Sequence, residues 1–458
     1  MRGTKDLTVG KERKLILQFA IPMLIGSLFQ QLYNVVDSII VGNYLGKEEL
    51  AAVGISFPII FMLVSLLIGL TIGLSVIISQ YFGAKDYKKV REAVDTIYIS
   101  LFFASIVLTA LGLIFSRDIM ELLKVPPDVI DYSVLYFNIF TGGLVFLFGF
   151  NATNAILRGM GDTKTPLVFL IISTLLNIFL DIFFITVMGW GIEAVAIATV
   201  VSQFVAFFLA ALYLNKKHPL IRISFVNLVF NRTIFRQSLK IGIPSGLQQS
   251  FVALGIVALI RIVNDFGTDA MAAFTITSRI DAFAAMPAMI FASALSSFVG
   301  QNIGAGKLQR IRVGFRETTL MTTMVALFIS VVFIVFREPL VMAFNTDPMV
   351  VEIGSSYLFI VGFFYVIFAN MFVGMAVMRG AGDAITPMFI TLVALWIGRV
   401  PLSYILSRDH GTDGIWWGIP LAWCIGFGLA LFFYIRGRWK RKAITKIETP
   451  LPDNEIIA

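Results

Sequence analysis

The chain has 458 residues, of which 58% are apolar and only 14% charged, with a formal net charge of +8. A soluble domain carries about 25% charged residues, so too little polar surface is available here for a soluble multidomain protein. An outer-membrane barrel is excluded as well, because its strands alternate apolar and polar positions over about 10 residues, whereas these apolar runs are long and unbroken.

Reading apolar runs against charged interruptions predicts an all-α polytopic membrane protein with twelve spans. They lie near 15–42, 54–80, 93–115, 132–157, 166–188, 191–214, 238–263, 272–300, 317–336, 352–378, 387–406 and 414–435. The basic start (Arg2, Lys5, Lys11, Arg13, Lys14) leads into a first run that is too long for a signal-peptide core of about 7–15 residues.

Span one carries Gln30, Tyr33, Asn34 and Asp37 at i, i+3, i+4, i+7 spacing, a polar stripe on one helical face. Lower on the same span, Pro22 removes the backbone hydrogen bond to the carbonyl of Gln18 and offers a place to bend. Span four adds Tyr136, Asn151 and Asn154. Span five places Asn177 one turn from Asp181, and span six adds Thr199, Ser202 and Gln203. At 1.5 Å per residue, Asp37, Asp181 and Thr199 lie about 7.5, 10 and 12 Å below the outer ends of their spans. Glu193, at the start of span six, reads as an interfacial residue beside a helix N-terminus.

Ionisable groups inside spans are costly and mark functional sites by default. A cavity of amides, hydroxyls, aromatics and two carboxylates suits a hydrated ion and an amphipathic organic cation. Its carboxylates can take Na+ through oxygen or carry a proton. The competing reading has Asp37 and Asp181 snorkel outward or bind neighbouring amides.

The second half holds Arg261, Arg279, Arg399 and Asp281 within its spans. One reading is structural: Asp281 pairs with an arginine, and the others bond carbonyls or reach an interface. The other is an anion site of formal charge +2.

Other chemistry is thin. A single cysteine, Cys424, and two histidines, His218 and His410 in polar connections, argue against disulfides, CxxC motifs and His-based zinc or haem sites. No HExxH, no GxSxG with a His in a span, and no P-loop is present, which argues against an intramembrane enzyme and against ATP as the energy source. No cofactor beyond a coupling ion is expected.

Charge placement supports the count. With the N-terminus inside, 28 Lys and Arg fall on inner segments and five (Lys47, Arg117, Lys124, Arg337, Arg408) on outer ones. This predicts cytoplasmic termini in a plasma (inner) membrane, with basic loops facing anionic lipid rather than nucleic acid.

The chain also repeats itself. Arg158-Gly159-Met160-Gly161-Asp162-Thr163-Lys164-Thr165-Pro166 recurs 221 residues later as Arg379-Gly380-Ala381-Gly382-Asp383-Ala384-Ile385-Thr386-Pro387. The same offset maps residues 80–84 (QYFGA) onto 301–305 (QNIGA), and Pro22 pairs with Pro244 at 222. Six spans per half put matching loops on one side of the membrane, so the halves are parallel repeats. The predicted organisation is an N-lobe at 1–214, a cytoplasmic linker at 215–237, a C-lobe at 238–436 and a cytoplasmic tail at 437–458. Both short motifs read first as loop geometry, with glycines allowing tight turns and proline starting the next helix.

The paired RGxGDxxTP element, the GQxxGAG element at 300–306 and the two equal six-span halves resemble the multidrug and toxic compound extrusion (MATE) family over roughly residues 12–435. The resemblance implies two pseudo-symmetric six-helix lobes around a central cleft, exporting drugs or metabolites by alternating access against inward H+ or Na+. One branch of that family carries an N-lobe acidic pair, an Asn one turn before the second Asp, and a Thr in span six. Those positions match Asp37, Asn177, Asp181 and Thr199, while Tyr136 and Asn154 match further cavity residues and Pro22 a bending proline. Another branch uses acids in spans seven and ten, which this chain lacks inside either, so coupling is expected in the N-lobe. The expected function is a monomeric secondary antiporter for amphipathic, often cationic, small molecules. The second reading is a flippase for lipid-linked saccharide or polyprenyl precursors, which the three arginines keep in view.

Overall fold

The structure is a computed structural model that describes residues 5–217 and 228–445, without the side chains of Asn34, Ser38, Met62, Leu66 and Lys217. Arg2, His218, Arg222, Lys446, residues 218–227 of the expected linker and the acidic end of the tail lie outside the described residues. The described residues form helices and no strands. In the first half these are α1 (Glu12–Tyr44), α2 (Lys47–Gly83), α3 (Tyr87–Leu122), α4 (Pro127–Gly142), α5 (Leu144–Gly159), α6 (Lys164–Thr186) and α7 (Ile192–Lys217). The second half has α8 (Arg232–Asn264), α9 (Thr268–Gly304), α10 (Leu308–Val335), α11 (Arg337–Met342), α12 (Pro348–Gly362), α13 (Tyr365–Gly380), α14 (Ile385–Leu392) and α15 (Val400–Arg436). A π-helical turn, Val393–Arg399, joins the last two.

Twelve spans are accounted for among the described residues. Nine helical stretches are long and apolar enough alone, and the bent pairs α4–α5 (49°) and α12–α13 (53°) each make one more. The twelfth comes from Ile385–Arg436, 52 residues long, which breaks at Gly411 (φ 59°, ψ −138°) between the two spans expected there. The bends inside spans four and ten were not anticipated. At the first, a side chain on Gly143 would sit 2.3 Å from Val200 Cγ2 of α7, so only glycine lets these helices approach there.

The chain divides into two compact units, Met1–Asp6 with Ile21–Ile243, and Leu7–Ala20 with Pro244–Ala458. The divisions fall inside α1 and α8, beside Pro22 and Pro244. They depart from the expected lobe boundaries, because Leu7–Ala20 belongs to the second unit and residues 215–243 to the first. Side chains explain both assignments. In the second unit, Gln301 Oε1 accepts from the Leu7 N–H at 2.9 Å and Asn302 Nδ2 donates to the Leu7 carbonyl at 3.2 Å. Lys307 Nζ donates to the Thr8 carbonyl, and Arg310 to the Gly10 carbonyl and to Glu12 Oε1, each within 2.9 Å. In the first unit, Asn231 donates to Thr96 Oγ1 at 2.9 Å through its backbone and to Glu92 Oε2 at 2.8 Å through its amide.

The repeated RGxGDxxTP element is a helix cap in each unit. Asp162 accepts from the N–H groups of Lys164 (3.1 Å) and Thr165 (3.0 Å) and from the Thr165 hydroxyl (2.7 Å). Asp383 does the same for Thr386, at 3.3 Å to its N–H and 2.7 Å to its hydroxyl. These carboxylates satisfy N–H groups that a helix start leaves open. Gly161 (φ +89°) and Gly382 (φ +96°) take the left-handed turn that a side chain would strain.

Candidate functional site

Within the first unit, α1, α4, α6 and α7 bring one polar group together in an apolar surrounding. Asp181, Asn177, Tyr136 and Thr199 are buried, at 0, 1, 7 and 8% exposure, and Asp37 is half-buried. The carboxyl groups of Asp37 and Asp181 lie within hydrogen-bonding reach of each other. In the amide orientation that satisfies both ends, Asn177 donates to Asp181 Oδ2 at 3.0 Å and accepts from the Thr199 N–H at 3.3 Å. The opposite orientation keeps only a 3.5 Å contact to Thr199 Oγ1, so the first is preferred. The hydroxyls of Tyr33 and Thr199 lie 3.1 Å apart, and the phenols of Tyr33 and Tyr136 belong to the same buried group as the two acids.

Two oxygens in this group have no donor. Asp37 Oδ1 and Asp181 Oδ1 are sealed from solvent and unpartnered, as are the amide oxygens Asn154 Oδ1 and Gln203 Oε1. Buried acceptors without donors are rare, and each calls for a bound water, proton or ion. Among the described residues no three His, Cys, Asp or Glu side chains gather as a metal cluster. An ion held here would therefore use both carboxylates together with amide and hydroxyl oxygens, a hard-oxygen set suited to a proton or Na+ rather than to a transition metal.

The remaining expected residues are more dispersed. Asn151 turns its amide back to the Leu147 carbonyl at 2.8 Å, and Gln30 is exposed on α1. The Asn34 side chain lies outside the described residues. Pro22 is buried inside a continuous α1, fifteen residues before Asp37 and apart from the acid group. Tyr33, expected as a cavity residue, is also bonded to Thr199. Sequence reading passed over Asn138, whose Oδ1 is also buried and unpartnered. It lies two positions from Tyr136 on another helical face, and a lone amide in an apolar run was its only signal.

In the second unit the expected Asp281–arginine pair is not a direct contact. The Tyr365 hydroxyl donates to the Asp281 carboxylate instead, and no Asp281 ion pair occurs within 4 Å among the described residues. Arg261 is 80% exposed and reaches Asp265 at 3.8 Å, and Arg279 is exposed, so both leave the interior.

Comparison with known proteins identifies the fold. The family model MatE matches residues 22–183 and, a second time, residues 244–405. This chain belongs to the MATE family. Each match begins at the proline beside which the chain passes between units, Pro22 or Pro244, so the internal repeat and the family unit coincide. The probable multidrug resistance protein YpnP of Bacillus subtilis (strain 168) is 32% identical over 438 residues, 95% of this chain and 97% of that protein. YoeA of the same organism, also described as a probable multidrug resistance protein, is 32% identical and covers 94% of each chain. A solved outward-facing MATE family transporter of the MOP superfamily matches with a TM-score of 0.89 at 25% identity, over 96% of this chain and 99% of that one. A multi-pass helical membrane protein of a transporter family follows from the spans and the matches together.

Proposed function

We propose that this MATE protein is a secondary active antiporter that exports amphipathic, often cationic, organic compounds in exchange for H+ or Na+ by alternating access. The carrying observation is the facing pair Asp37 and Asp181, each with a buried oxygen that no protein group satisfies. Two facing carboxylates repel when both are charged, so the pair holds a proton or a cation between its members. Asn177 and Thr199 orient Asp181, and Tyr33 steadies Thr199. Gln30, Asn34, Tyr136, Asn151, Asn154 and Gln203 supply polar and aromatic lining for substrate, and Pro22 offers α1 a place to bend. A cationic drug and the coupling ion then compete for the same negative charge. Entry of H+ or Na+ from outside neutralises the pair and releases the drug, which links export to ion entry. The reading also takes the protein as a monomer in the plasma membrane, with both termini cytoplasmic and no bound cofactor.

The test is efflux of a cationic drug from proteoliposomes under a proton gradient alone and a Na+ gradient alone. At least one gradient should drive export by the wild type, and Asp37→Asn or Asp181→Asn should abolish it while inserting normally. In detergent, wild-type affinity for the drug should fall on acidification or Na+ addition, because either neutralises the carboxylates. An unchanged response to both in the two Asp variants would refute the shared site.

A further inference from the structure

The second unit carries a turn of cations that the coupling site does not use. α15 stops at Gly437, whose left-handed conformation (φ 69°) leads the chain into a short 3₁₀ turn, Arg438–Lys442. Trp439 holds that turn down. It is 2% exposed, its ring stacks on Tyr434 at 5.9 Å, and its indole N–H donates to the Tyr434 carbonyl at 3.0 Å. The Gly437 N–H bonds the same carbonyl at 3.1 Å. Tyr434 in turn stacks on Phe315 of α10 at 4.2 Å. Arg312 shares a face of α10 with Phe315 and Arg316, at i, i+3, i+4 spacing.

The ladder of three rings therefore brings two sets of cations to one end of the unit. Arg436, Arg438, Arg441 and Lys442 are exposed at the turn, as are Arg312 and Arg316 on α10. Five of the seven residues at 436–442 are cationic and none is acidic, and α10 adds a single acid, Glu317. Arg316, Arg438, Arg441 and Lys442 make no ion pair among the described residues. Like charges held this close repel, and a pinned turn cannot spread to relieve them, so the set calls for anions from outside the protein. An apolar surface leads up to it. Leu431, Phe432 and Ile435 are exposed on the last turns of α15, and the Arg436 guanidinium lies over the Phe432 ring at 5.8 Å. The cations begin where the lipid-facing side chains end.

We propose that this turn and the first turns of α10 form a binding site for an anionic phospholipid whose headgroup carries two phosphates. Guanidinium groups match phosphate oxygens through paired N–H donors, and two sets of cations suit two phosphates on one headgroup. The exposed face of α15 takes the acyl chains, which a soluble phosphate lacks. Each Lys or Arg near a membrane surface adds attraction for anionic headgroups wherever it lies. Trp439 separates this cluster from the other basic segments, because it gives the cations a fixed shape.

The site is independent of the transport reading, and its test needs no gradient. Lipid binding to the purified full chain in detergent is measured by native mass spectrometry with tetraoleoyl cardiolipin, dioleoyl phosphatidylglycerol and dioleoyl phosphatidylcholine. Wild type should bind cardiolipin about tenfold more tightly than phosphatidylglycerol, and phosphatidylcholine least. The triple variant Arg438→Gln/Arg441→Gln/Lys442→Gln should lose about tenfold or more in cardiolipin affinity. Trp439→Ala keeps every charge but frees the turn, and should lose several-fold. Lys85→Gln/Lys88→Gln/Arg91→Gln removes three exposed cations from the first unit and should leave cardiolipin binding unchanged. Equal losses in the two triple variants, or undiminished binding by Trp439→Ala, would assign binding to charge number alone and overturn the proposal. So would equal affinity for cardiolipin and phosphatidylglycerol, or displacement of cardiolipin by equimolar pyrophosphate. The first needs only one phosphate, and the second needs no lipid.

Discussion

At the residue scale, the first-unit site depends on who donates to whom. Asp181 has one oxygen held by Asn177 and the other left open, so Asn177 presents the carboxylate. Replacing Asn177 with Leu removes that donor and leaves Asp181 Oδ2 buried alone, at a cost of about 1–3 kcal/mol in the charged form. The expected outcome is an acid pair that holds its proton more firmly. Export should then fail at neutral pH, with drug binding weakened as if the medium were acidic, read as a drug-affinity profile against pH. Tyr33→Phe is milder. It removes the 3.1 Å contact with Thr199 and should lower coupling-ion affinity about fivefold, the size of one neutral hydrogen bond, without a change in melting temperature.

At the element scale, the repeated motif acts through capping. Asp162→Ala and Asp383→Ala each remove a carboxylate that serves the start of α6 or α14 and its threonine hydroxyl. Each should destabilise by about 1 kcal/mol, as helix caps do, and the two losses should add because the caps share no partner. Thermal unfolding of the single and double variants measures this. Gly143→Ala tests the bend in span four: its new methyl would meet Val200 at 2.3 Å, and overpacking of this kind costs about 1–3 kcal/mol. Gly143→Ala with Val200→Ala should recover most of that loss.

At the scale of the whole molecule, the strongest expectation concerns orientation. Reporter fusions after Arg91, Lys217 and Arg441 should report the cytoplasm, and one after Asp128 the outside, because 28 of the 33 Lys and Arg outside the spans fall on alternate loops. An odd number of spans in such a series would break the match between the halves.

Composition and charge alone established a helical membrane protein, and the 221-residue repeat established its two halves, because a bilayer demands long apolar helices and duplication copies their order. The acid pair was legible too: an acid in an apolar span stands out, and helical spacing put Asn177 on the face of Asp181. Other features required the tertiary structure. Periodicity treats a span as one rod, so the bends at 143 and 363–364 and the π-helical turn that ends at Arg399 left no mark in the apolar pattern. The transfer of Leu7–Ala20 to the second unit rests on Gln301, Asn302, Lys307 and Arg310, whose reach across nearly 300 residues no local pattern encodes. The Arg399–Asp281 relation was decided in the same way. Sequence placed both charges inside spans, but only packing determined that Tyr365 takes the carboxylate and leaves the guanidinium open, because a hydrogen bond depends on ångström distances that residue spacing does not specify.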